Sequence, residues 1–301
     1  MKHLTKMLDL SKEDIITILD LADSMKSQQK KGNAPQPLKG KTLAMIFQKA
    51  STRTRVSFET GMYQLGGQAL FLSASDLQMG RGEPIEDTAR VLGRYVDGIM
   101  IRTFKQQDVE DLAKWSGIPV INGLTDYDHP CQILADLMTI REYKGKLEGL
   151  KLAYIGDGNN MCNSLVIGCL TVGMKISVAV PKGHEPHQDV INFAKSYSDA
   201  FELVQDPSKA AIQADVLATD VWASMGQEAE AAARMKTFAN YQINAELMNK
   251  ANPDAIVLHC LPAHRGEEIT SDIFEAHTNV IFDEAENRLH AQKAVMALLM
   301  Q

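Results

Sequence analysis

The run Ser51-Thr52-Arg53-Thr54-Arg55 places hydroxyl and guanidinium groups where an apolar segment, Thr42–Phe47, gives way to a segment with apolar residues at helical spacing. The amino end of a helix exposes backbone N–H groups and carries partial positive charge, so hydroxyl side chains cap it and phosphates bind there. Arginines in that first turn oppose the helix dipole unless an anion faces them. Two interpretations are open: a hydroxyl cap flanked by solvated arginines, or a cradle for an anionic ligand, which the residue types favour.

Other polar residues follow predicted strands in the same half of the chain. His129, Pro130 and Gln132 come shortly after the predicted strand Pro119–Asn122, and Arg102 directly follows the apolar run Gly98–Ile101. Ligands of open α/β sheets bind at the carboxyl ends of the strands, where a histidine or glutamine can donate to a carbonyl or phosphate oxygen. The alternatives are a structural histidine and a proline that only begins a helix. A buried arginine, by contrast, needs an anionic or carbonyl partner.

Two more side chains are candidates for the same ligand. Gln78 lies in the glycine-containing turn QMGRGE, from which it could reach a neighbouring pocket, although a solvated loop would have the same composition. Arg288 stands near the start of a predicted helix, again an unfavourable place for a cation that has no anionic partner.

The C-terminal half carries groups suited to an amine or a zwitterion. Asp220 ends the predicted strand Val216–Thr219 and precedes the loop Ser224-Met225-Gly226, while Cys260 and Leu261 follow the predicted strand Ala255–His259. Asn160, after another strand, offers an amide. A carboxylate can pair with an amine, and amides hold polar ligands. The alternatives are a buried thiol that behaves as a small hydrophobe and an asparagine that only serves a turn.

Single motifs suggest two other functions, dinucleotide binding and zinc binding, but the residues at the other positions of each motif do not match. Gly156 and Gly158 follow a strand, as in a dinucleotide-binding fingerprint, but the third glycine position holds Met161. The next strand ends in Pro-Lys rather than in an acid that would bind a ribose. Cysteines and histidines lack the paired spacing of a zinc site, so we expect neither NAD nor a metal.

Composition limits the class of protein. The chain has 301 residues, 45% of them hydrophobic and 23% charged, which is enough for two domains with separate cores. The net charge of −7 and the absence of a long basic block argue against a nucleic-acid partner. We find neither an apolar run of about 20 residues nor the pattern of a secretory signal. Four cysteines without a disulfide-like pattern favour a reduced, cytoplasmic protein with no membrane association.

Short apolar segments alternate with amphipathic ones, which predicts an α/β protein with mostly parallel sheets. The predicted strands are Thr42–Phe47, Gln68–Leu72, Gly98–Ile101, Pro119–Asn122, Lys151–Ile155, Lys175–Val180, Val216–Thr219, Ala255–His259 and Asn279–Asp283. The polar segment Arg141–Lys151 separates two series of elements, so we expect domains at residues 1–145 and 146–301, joined by bridging helices. The last helix, at about residues 285–301, is expected to pack back on the first domain.

The segments STRTR, HPCQ, DVWASMG, HCLP and AENRLH, in this order and spread over nearly the whole chain, resemble the ornithine carbamoyltransferases. STRTR and HPxQ are shared by carbamoyltransferases in general, whereas SMG and HCLP favour ornithine over aspartate as the acceptor. An aspartate-specific relative is expected to carry a lysine in the loop after the second strand and HPLPR near the late strand. This chain has LQMGRGE and HCLPAHR at those places.

The resemblance implies transfer of the carbamoyl group of carbamoyl phosphate to the side-chain amine of L-ornithine, giving L-citrulline and phosphate, in arginine biosynthesis or urea-cycle-type metabolism. It implies two α/β domains with the site in the cleft between them, and no cofactor or metal. It also implies a homotrimer, in which a neighbouring subunit's loop around Gln78 completes the phosphate site.

On this sequence the resemblance assigns two sets of residues. The carbamoyl phosphate site is expected to comprise Ser51, Thr52, Arg53, Thr54, Gln78, Arg102, His129, Pro130, Cys131, Gln132, Cys260, Leu261 and Arg288. The ornithine site is expected to comprise Asn160, Asp220, Ser224 and Met225. The residues expected to act in catalysis are Arg53, Arg102, His129, Gln132, Asp220 and Cys260.

The expected reaction is a direct attack of the amine on the carbonyl carbon, through a tetrahedral intermediate. His129, Gln132 and Arg102 would polarise the carbonyl. Asp220 and Cys260 would orient the amine and remove its proton. Arg288 and the backbone after His259 would close the site from the second domain, with carbamoyl phosphate binding first. The alternatives are another acceptor amine, such as putrescine or N-acetylornithine, and a binding protein without turnover.

Overall fold

The computed structural model describes residues 1–197, 199–223 and 228–301. The chain divides into two compact units, the first made of Met1–Ala135 with Asn287–Gln301 and the second of Asp136–Glu286. Each unit has a parallel sheet flanked by helices, and two helices, α5 (Pro130–Lys144) and α12 (Thr278–Met300), run from one unit into the other. The predicted fold class is confirmed.

The first unit is built on a four-stranded sheet in the order β2-β1-β3-β4. Its strands are β1 (Thr42–Phe47), β2 (Gln68–Ser73), β3 (Gly98–Arg102) and β4 (Val120–Leu124). Its helices, besides α5 and α12, are α1 (Lys12–Lys30), α2 (Thr52–Gln64), α3 (Ile85–Tyr95) and α4 (Gln106–Trp115), with short 3₁₀ turns at Met7–Asp9 and Gln78–Arg81.

Strands β1 and β3 form the centre of this sheet because they are apolar on both faces, as strands covered on both sides must be. From β1 the chain continues through α2 to β2, which lies on one side of β1 in the sheet. It then continues through α3 to β3, which lies on the other side of β1, so the strand order reverses between β1 and β3. Phe47 pairs in register with Arg102, which sets the carboxyl ends of both strands at the same level. Such a reversal leaves a crevice above the carboxyl ends of the strands, where ligands of open sheets bind.

The second unit has a five-stranded sheet in the order β7-β6-β5-β8-β9. Its strands are β5 (Lys151–Ile155), β6 (Lys175–Ala179), β7 (Phe201–Val204), β8 (Val216–Thr219) and β9 (Ile256–His259). Its helices, besides α5 and α12, are α6 (Asn160–Thr171), α7 (Gln188–Ala194), α8 (Pro207–Ala211), α9 (Ala231–Phe238), α10 (Ala245–Met248) and α11 (Ser271–Ala276), with 3₁₀ turns at Lys195–Tyr197 and Glu228–Glu230. Here the strand order reverses between β5 and β8.

One of the two glycines that resemble a dinucleotide fingerprint, Gly158, has a structural explanation. A Cβ atom at position 158 would lie 2.3 Å from the carbonyl oxygen of His184, so Gly158 is required by the close approach of the His184 loop. Gly158 also donates its N–H to that oxygen over 2.9 Å. The glycine therefore serves packing within the protein.

The elements at the C-terminus and at one sheet edge differ from the sequence prediction. The segment Asn279–Asp283, predicted as a strand, is the first part of helix α12. Val280 and Ile281 are buried, Phe282 is 54% exposed and Glu284 is buried again, which is the spacing of a helix face rather than the alternation of a strand. Strand β7 was not predicted, because it is a four-residue edge strand with only partly buried side chains.

Over the described residues, we find no helix of the length and apolarity that a membrane crossing demands.

Candidate active site

Helix α2 begins directly above the carboxyl end of β1, and Ser51 caps it. The Ser51 hydroxyl accepts a hydrogen bond from the Thr54 backbone N–H over 3.2 Å and donates to the Thr54 hydroxyl over 3.1 Å. Thr54 is 1% exposed, whereas Thr52 and Arg53 are exposed on the first turn. The predicted cap is present, and the helix start leaves hydroxyl, amide and guanidinium groups facing outward together.

Arg288, on the part of α12 that belongs to the first unit, joins this helix start to α5. Its Nη1 donates to Oε1 of Gln132 over 2.7 Å, and its Nη2 donates to Oγ1 of Thr54 over 3.3 Å. All three side chains are buried. Arg288 therefore contributes from the first unit, not from the second as expected, because α12 continues beyond the second unit before it reaches this residue.

His129 is a buried histidine that lies within electrostatic reach of three arginines. It is 5% exposed and immediately precedes α5, which begins at Pro130. Burial and the positive charges of Arg288, Arg102 and Arg53 hold the pKa of His129 well below its usual range. The imidazole is consequently neutral at physiological pH, and a neutral imidazole can still donate one N–H bond to a carbonyl oxygen.

Cys131, the residue between Pro130 and Gln132, has a structural contact. Its thiol donates to the backbone carbonyl of Asn122 over 3.3 Å, and burial raises the pKa of Cys131 to about 12. The side chain thus fixes the start of α5 to strand β4, and any contact with a ligand would be made by its backbone.

Gln78 stands apart from these residues within one chain. It is exposed in the turn Gln78–Arg81 after β2, and β2 is the outer strand on the side of β1 that is opposite to Arg102.

In the second unit, Asp220 is the centre of a hydrogen-bonded group at the carboxyl ends of β5, β8 and β9. Its Oδ2 accepts from Nδ2 of Asn159 over 2.8 Å, and its Oδ1 accepts from the Cys260 thiol over 3.1 Å. Asn159 also caps α6, its Oδ1 accepting from the N–H groups of Met161 and Cys162. The β5–β8 reversal of strand order thereby places a buried carboxylate beside a helix start and a thiol.

The Cys260 thiol keeps its proton. Burial, followed by the negative charge of Asp220, raises the pKa of Cys260 well above its ordinary value, so the thiol is a donor to the carboxylate and not a base. The adjacent backbone is fixed by His259, whose Nδ1 accepts from the Leu261 N–H over 3.0 Å. The other ring nitrogen donates to the fully buried Glu268 over 2.9 Å.

Asn160 is half-buried in the first turn of α6, and the Met161 N–H also donates to its Oδ1 over 3.0 Å. Of the other residues predicted to bind the acceptor, Ser224 and Met225 lie outside the described residues. The residues on either side of their loop are held together, because Nε of Arg234 donates to the backbone carbonyl of Trp222 and Nη2 pairs with Asp157.

Comparison with protein families accounts for both halves of the chain. Residues 2–142 match the model of the aspartate/ornithine carbamoyltransferase carbamoyl-P binding domain. Residues 148–299 match the model of the aspartate/ornithine carbamoyltransferase Asp/Orn binding domain. The chain belongs to the aspartate/ornithine carbamoyltransferase family.

Individual relatives agree with this assignment to the carbamoyltransferases. The chain is 59% identical over 298 residues to an ornithine carbamoyltransferase of Carboxydothermus hydrogenoformans, covering 98% of this chain and 96% of the relative. It is 58% identical over 296 residues to one of Thermococcus kodakarensis, covering 97% and 94%. Among solved structures, the ornithine carbamoyltransferase of Pyrococcus furiosus matches with a TM-score of 0.95 at 55% identity, over 99% of this chain and 97% of that chain.

Family membership makes the protein an enzyme, a carbamoyltransferase. The segments STRTR and HPCQ lie within the part that matches the carbamoyl-P binding model, and DVWASMG and HCLP lie within the part that matches the Asp/Orn binding model. The four segments are thus divided between the two domains that the family models describe.

The carbamoyltransferase fold brings one set of possible metal ligands together among the described residues. His264, Glu267 and Glu268 have ligand atoms within 4.8 Å of one another. Oε1 of Glu268 already accepts hydrogen bonds from His259 and from the backbone N–H of His264, and His264 lies 3.5 Å from a Glu267 oxygen. Protein partners thus already hold these groups together.

Sequence reasoning missed three buried residues that contact the neighbours of predicted site residues in the second unit. Glu268, His259 and Arg234 are buried polar groups in the second unit, and each contacts the backbone or a side chain next to a predicted site residue. A buried ionic group is rare without a partner. The only signal in the sequence was the polar residue itself, because no local rule relates Arg234 to Asp157, 77 residues away, or His259 to Glu268, nine residues away.

Proposed function

We propose that the protein transfers the carbamoyl group of carbamoyl phosphate to the side-chain amine of L-ornithine, producing L-citrulline and phosphate. The observation that carries this proposal is the buried, neutral His129 at the start of α5, whose pKa is lowered by burial and by the positive charges of Arg288, Arg102 and Arg53. Such an arrangement suits a ligand that joins a phosphate to a carbonyl group. The relatives named ornithine carbamoyltransferase support ornithine as the acceptor.

The phosphate is assigned to the start of α2. Ser51, Thr52, Thr54 and the amides of this turn would donate hydrogen bonds, and Arg53 and Arg102 would add charge-assisted ones. Each charge-assisted bond contributes roughly 1.5–3 kcal/mol, about twice a neutral one, so the arginines should dominate affinity. Neutralising the phosphate also stabilises it as a leaving group, which reduces the need for an acid.

The carbonyl oxygen is assigned to the region of His129 and Gln132. When the amine attacks, this oxygen acquires negative charge, and donors that are already fixed in place stabilise it without reorganisation. Arg288 donates to Oε1 of Gln132, which fixes the orientation of the amide group. The neutral His129 supplies a further N–H, and the surrounding guanidinium groups supply positive charge.

The amine is assigned to Asp220. A free alkyl amine has a pKa of about 10.4 and is mostly protonated at neutral pH, so the enzyme must bind it and draw off one proton before attack. Because the Cys260 thiol keeps its proton, the carboxylate is the acceptor, and Cys260 and Asn159 orient it from either side. Asn160, Ser224 and Met225 would hold the α-amino and carboxylate groups of ornithine.

The reaction then needs no covalent enzyme intermediate. The amine nitrogen forms a bond to the carbonyl carbon and passes its second proton to the departing phosphate oxygen. The tetrahedral intermediate then collapses, and the bond from that carbon to the phosphate oxygen breaks. The residues Leu261 and Cys260 would contact the carbamoyl group through their backbone, which His259 holds in place. We assign residues 1–145 to carbamoyl phosphate and residues 146–301 to ornithine, with the end of α12 returning to the first domain.

We also propose that the enzyme is a homotrimer in which Gln78 acts in a neighbouring copy. Strand β2 is an outer strand of its sheet with little cover, and Leu70 and Phe71 on it are 38% and 39% exposed. On the adjacent α2, Val56 and Tyr63 are 53% and 80% exposed. An uncovered sheet edge beside apolar side chains is typical of an interface. A second copy there would lie next to the turn of Gln78.

The metabolic role follows from the product. Citrulline formation in the cytoplasm would supply a precursor of arginine, in arginine biosynthesis or urea-cycle-type metabolism, and the reverse reaction would recover carbamoyl phosphate. The decisive experiment is colorimetric detection of citrulline from purified protein, carbamoyl phosphate and ornithine, with putrescine, N-acetylornithine and aspartate as alternative acceptors. Preferential use of another amine would show that ornithine is not the acceptor. If none of the four acceptors were carbamoylated, the proposed function would be refuted.

A further inference from the structure

Lys49 connects the three loops that carry the proposed ligands of carbamoyl phosphate. It lies between β1 and α2, and its ammonium group pairs with Oδ1 of Asp126, in the loop between β4 and α5. The same ammonium lies 4.4 Å from the ring centroid of Phe104, directly after β3. One cation thus contacts the loops that lead to Arg53, follow Arg102 and precede His129.

The two ends of this ion pair differ in exposure. The Lys49 side chain is 7% exposed, whereas the Asp126 side chain is 62% exposed. A buried ammonium needs compensation for its lost hydration, and here a carboxylate and the face of an aromatic ring provide it. Both contacts depend on the loops keeping their present arrangement, so the cation and the loop positions stabilise each other.

Backbone and side-chain bonds reinforce the same junction. The Asp126 N–H donates to the Phe104 carbonyl over 2.9 Å, and the Gln48 N–H donates to the Arg102 carbonyl over 2.8 Å. The Thr103 hydroxyl donates to Oε1 of Gln48 over 2.6 Å. These bonds join the loop after β3 to the loop after β4 and to the loop after β1. Lys49 lies in the loop after β1 and contacts both of the others.

We propose that Lys49 is a positioning residue for the carbamoyl phosphate site, holding the start of α2 at a fixed distance from His129 through Asp126. The inference rests on the proposed function, because the ligand whose binding it controls is the one proposed above. The charge of Lys49 is neutralised by Asp126, so its contribution is geometric. The bridge is the ion pair between Lys49 and Asp126. Without it, a single ligand can no longer contact the hydroxyl and guanidinium groups of the α2 turn and the donors of α5 at the same time.

A direct electrostatic role would give a different result on the partner residue. If Lys49 attracted the phosphate by its charge, Asp126→Asn would leave that charge unpaired and carbamoyl phosphate would bind as well or better. If Lys49 acts through the bridge, Asp126→Asn and Lys49→Met should weaken binding alike. The double variant should then be no worse than Lys49→Met alone, since both substitutions remove the same interaction.

The experiment measures carbamoyl phosphate affinity by calorimetry and steady-state constants for both substrates. We expect Lys49→Met and Asp126→Asn each to raise the Kd and KM for carbamoyl phosphate about tenfold, with the KM for ornithine changed less than twofold. Lys49→Arg should recover most of the affinity, because a guanidinium can keep both the ion pair and the ring contact. Lys41→Met is the matched control: Lys41 pairs with Asp97 over 3.2 Å at the opposite, amino ends of β1 and β3.

A second measurement does not depend on the ligand. In the unliganded protein, amide hydrogen exchange of residues 50–55 and 126–130 should be faster in Lys49→Met and Asp126→Asn than in wild type, and unchanged in Lys41→Met. Normal affinity in Lys49→Met, or a loss in Lys49→Met without a loss in Asp126→Asn, would overturn the proposal. Wild-type protein that binds no carbamoyl phosphate would refute the proposed function instead, and the exchange measurement would still judge the bridge.

Discussion

Replacing His129 by asparagine should reduce the pH dependence of the protein's stability between pH 7 and pH 5. Burial and three neighbouring arginines hold the pKa of His129 well below 6.5 in the folded protein, whereas the unfolded chain has the ordinary value. Below pH 6.5 the unfolded chain therefore binds a proton that the folded protein excludes. The contribution of this residue to stability is complete above pH 6.5 and is lost as the pH falls.

The size of the effect follows from linkage. One proton of difference changes the free energy of unfolding by about 1.4 kcal/mol for each pH unit, so the loss from pH 7 to pH 5 is about 2 kcal/mol while the folded imidazole stays neutral. Urea unfolding of wild type and His129→Asn at pH 7, 6 and 5 gives the free energy of unfolding as a function of pH for each protein. The difference between the two slopes measures the effect of His129, because the contributions of the other titrating groups cancel. His187→Asn, which removes an exposed histidine at a helix cap, is the matched control.

Equal slopes for wild type and His129→Asn would refute the reasoning. They would mean that His129 titrates in the folded protein as it does in the unfolded chain, and that the arginines do not surround it closely. The argument that a neutral imidazole donates to the carbonyl oxygen would then lose its physical basis. A difference of about 2 kcal/mol at pH 5 would support it.

Three more predictions concern the substrates. Arg53→Ala should weaken carbamoyl phosphate binding roughly 10- to 150-fold, the value of one charge-assisted contact, whereas Arg90→Ala on the exposed face of α3 should not; equal calorimetric affinities for Arg53→Ala and wild type would exclude the phosphate cradle. Asp220→Asn should lower turnover with ornithine and leave carbamoyl phosphate affinity intact, and loss of both, checked by circular dichroism, would indicate misfolding instead. Replacing or lengthening Ser224–Gly226 should raise the KM for ornithine or shift acceptor use toward simple diamines in a competition assay; unchanged constants would count against this loop.

Local sequence accounts for the starts of three helices, α2, α5 and α6. Ser51, Pro130 and Asn159 stand at the starts of α2, α5 and α6, and each start is set by a rule that involves only the next few residues. Strand β1 was also predictable at its exact bounds, because a short apolar run with turn signals on both sides has few other solutions.

Distant contacts were beyond that reasoning. The segment Asn279–Asp283 is locally as apolar as a strand, but it forms the first part of α12, in which Val280, Ile281 and Glu284 are buried and Phe282 is exposed. Likewise, nothing near Lys49 in the sequence indicates that Asp126 and Phe104 will be its neighbours. Burial of polar groups is decided by residues far along the chain.

The sequence by itself determined which chemical groups stand at the ends of strands and the starts of helices, and through its motifs it indicated the carbamoyltransferase family. Those features depend on short stretches of chain, in which capping, turn formation and hydrophobic periodicity operate. Tertiary structure alone decided the protonation of His129 and Cys260, the attachment of Arg288 to the first unit and the junction at Lys49. Each of these depends on burial and on charges brought close by folding. Both are set by the three-dimensional positions of residues and not by their neighbours in the sequence.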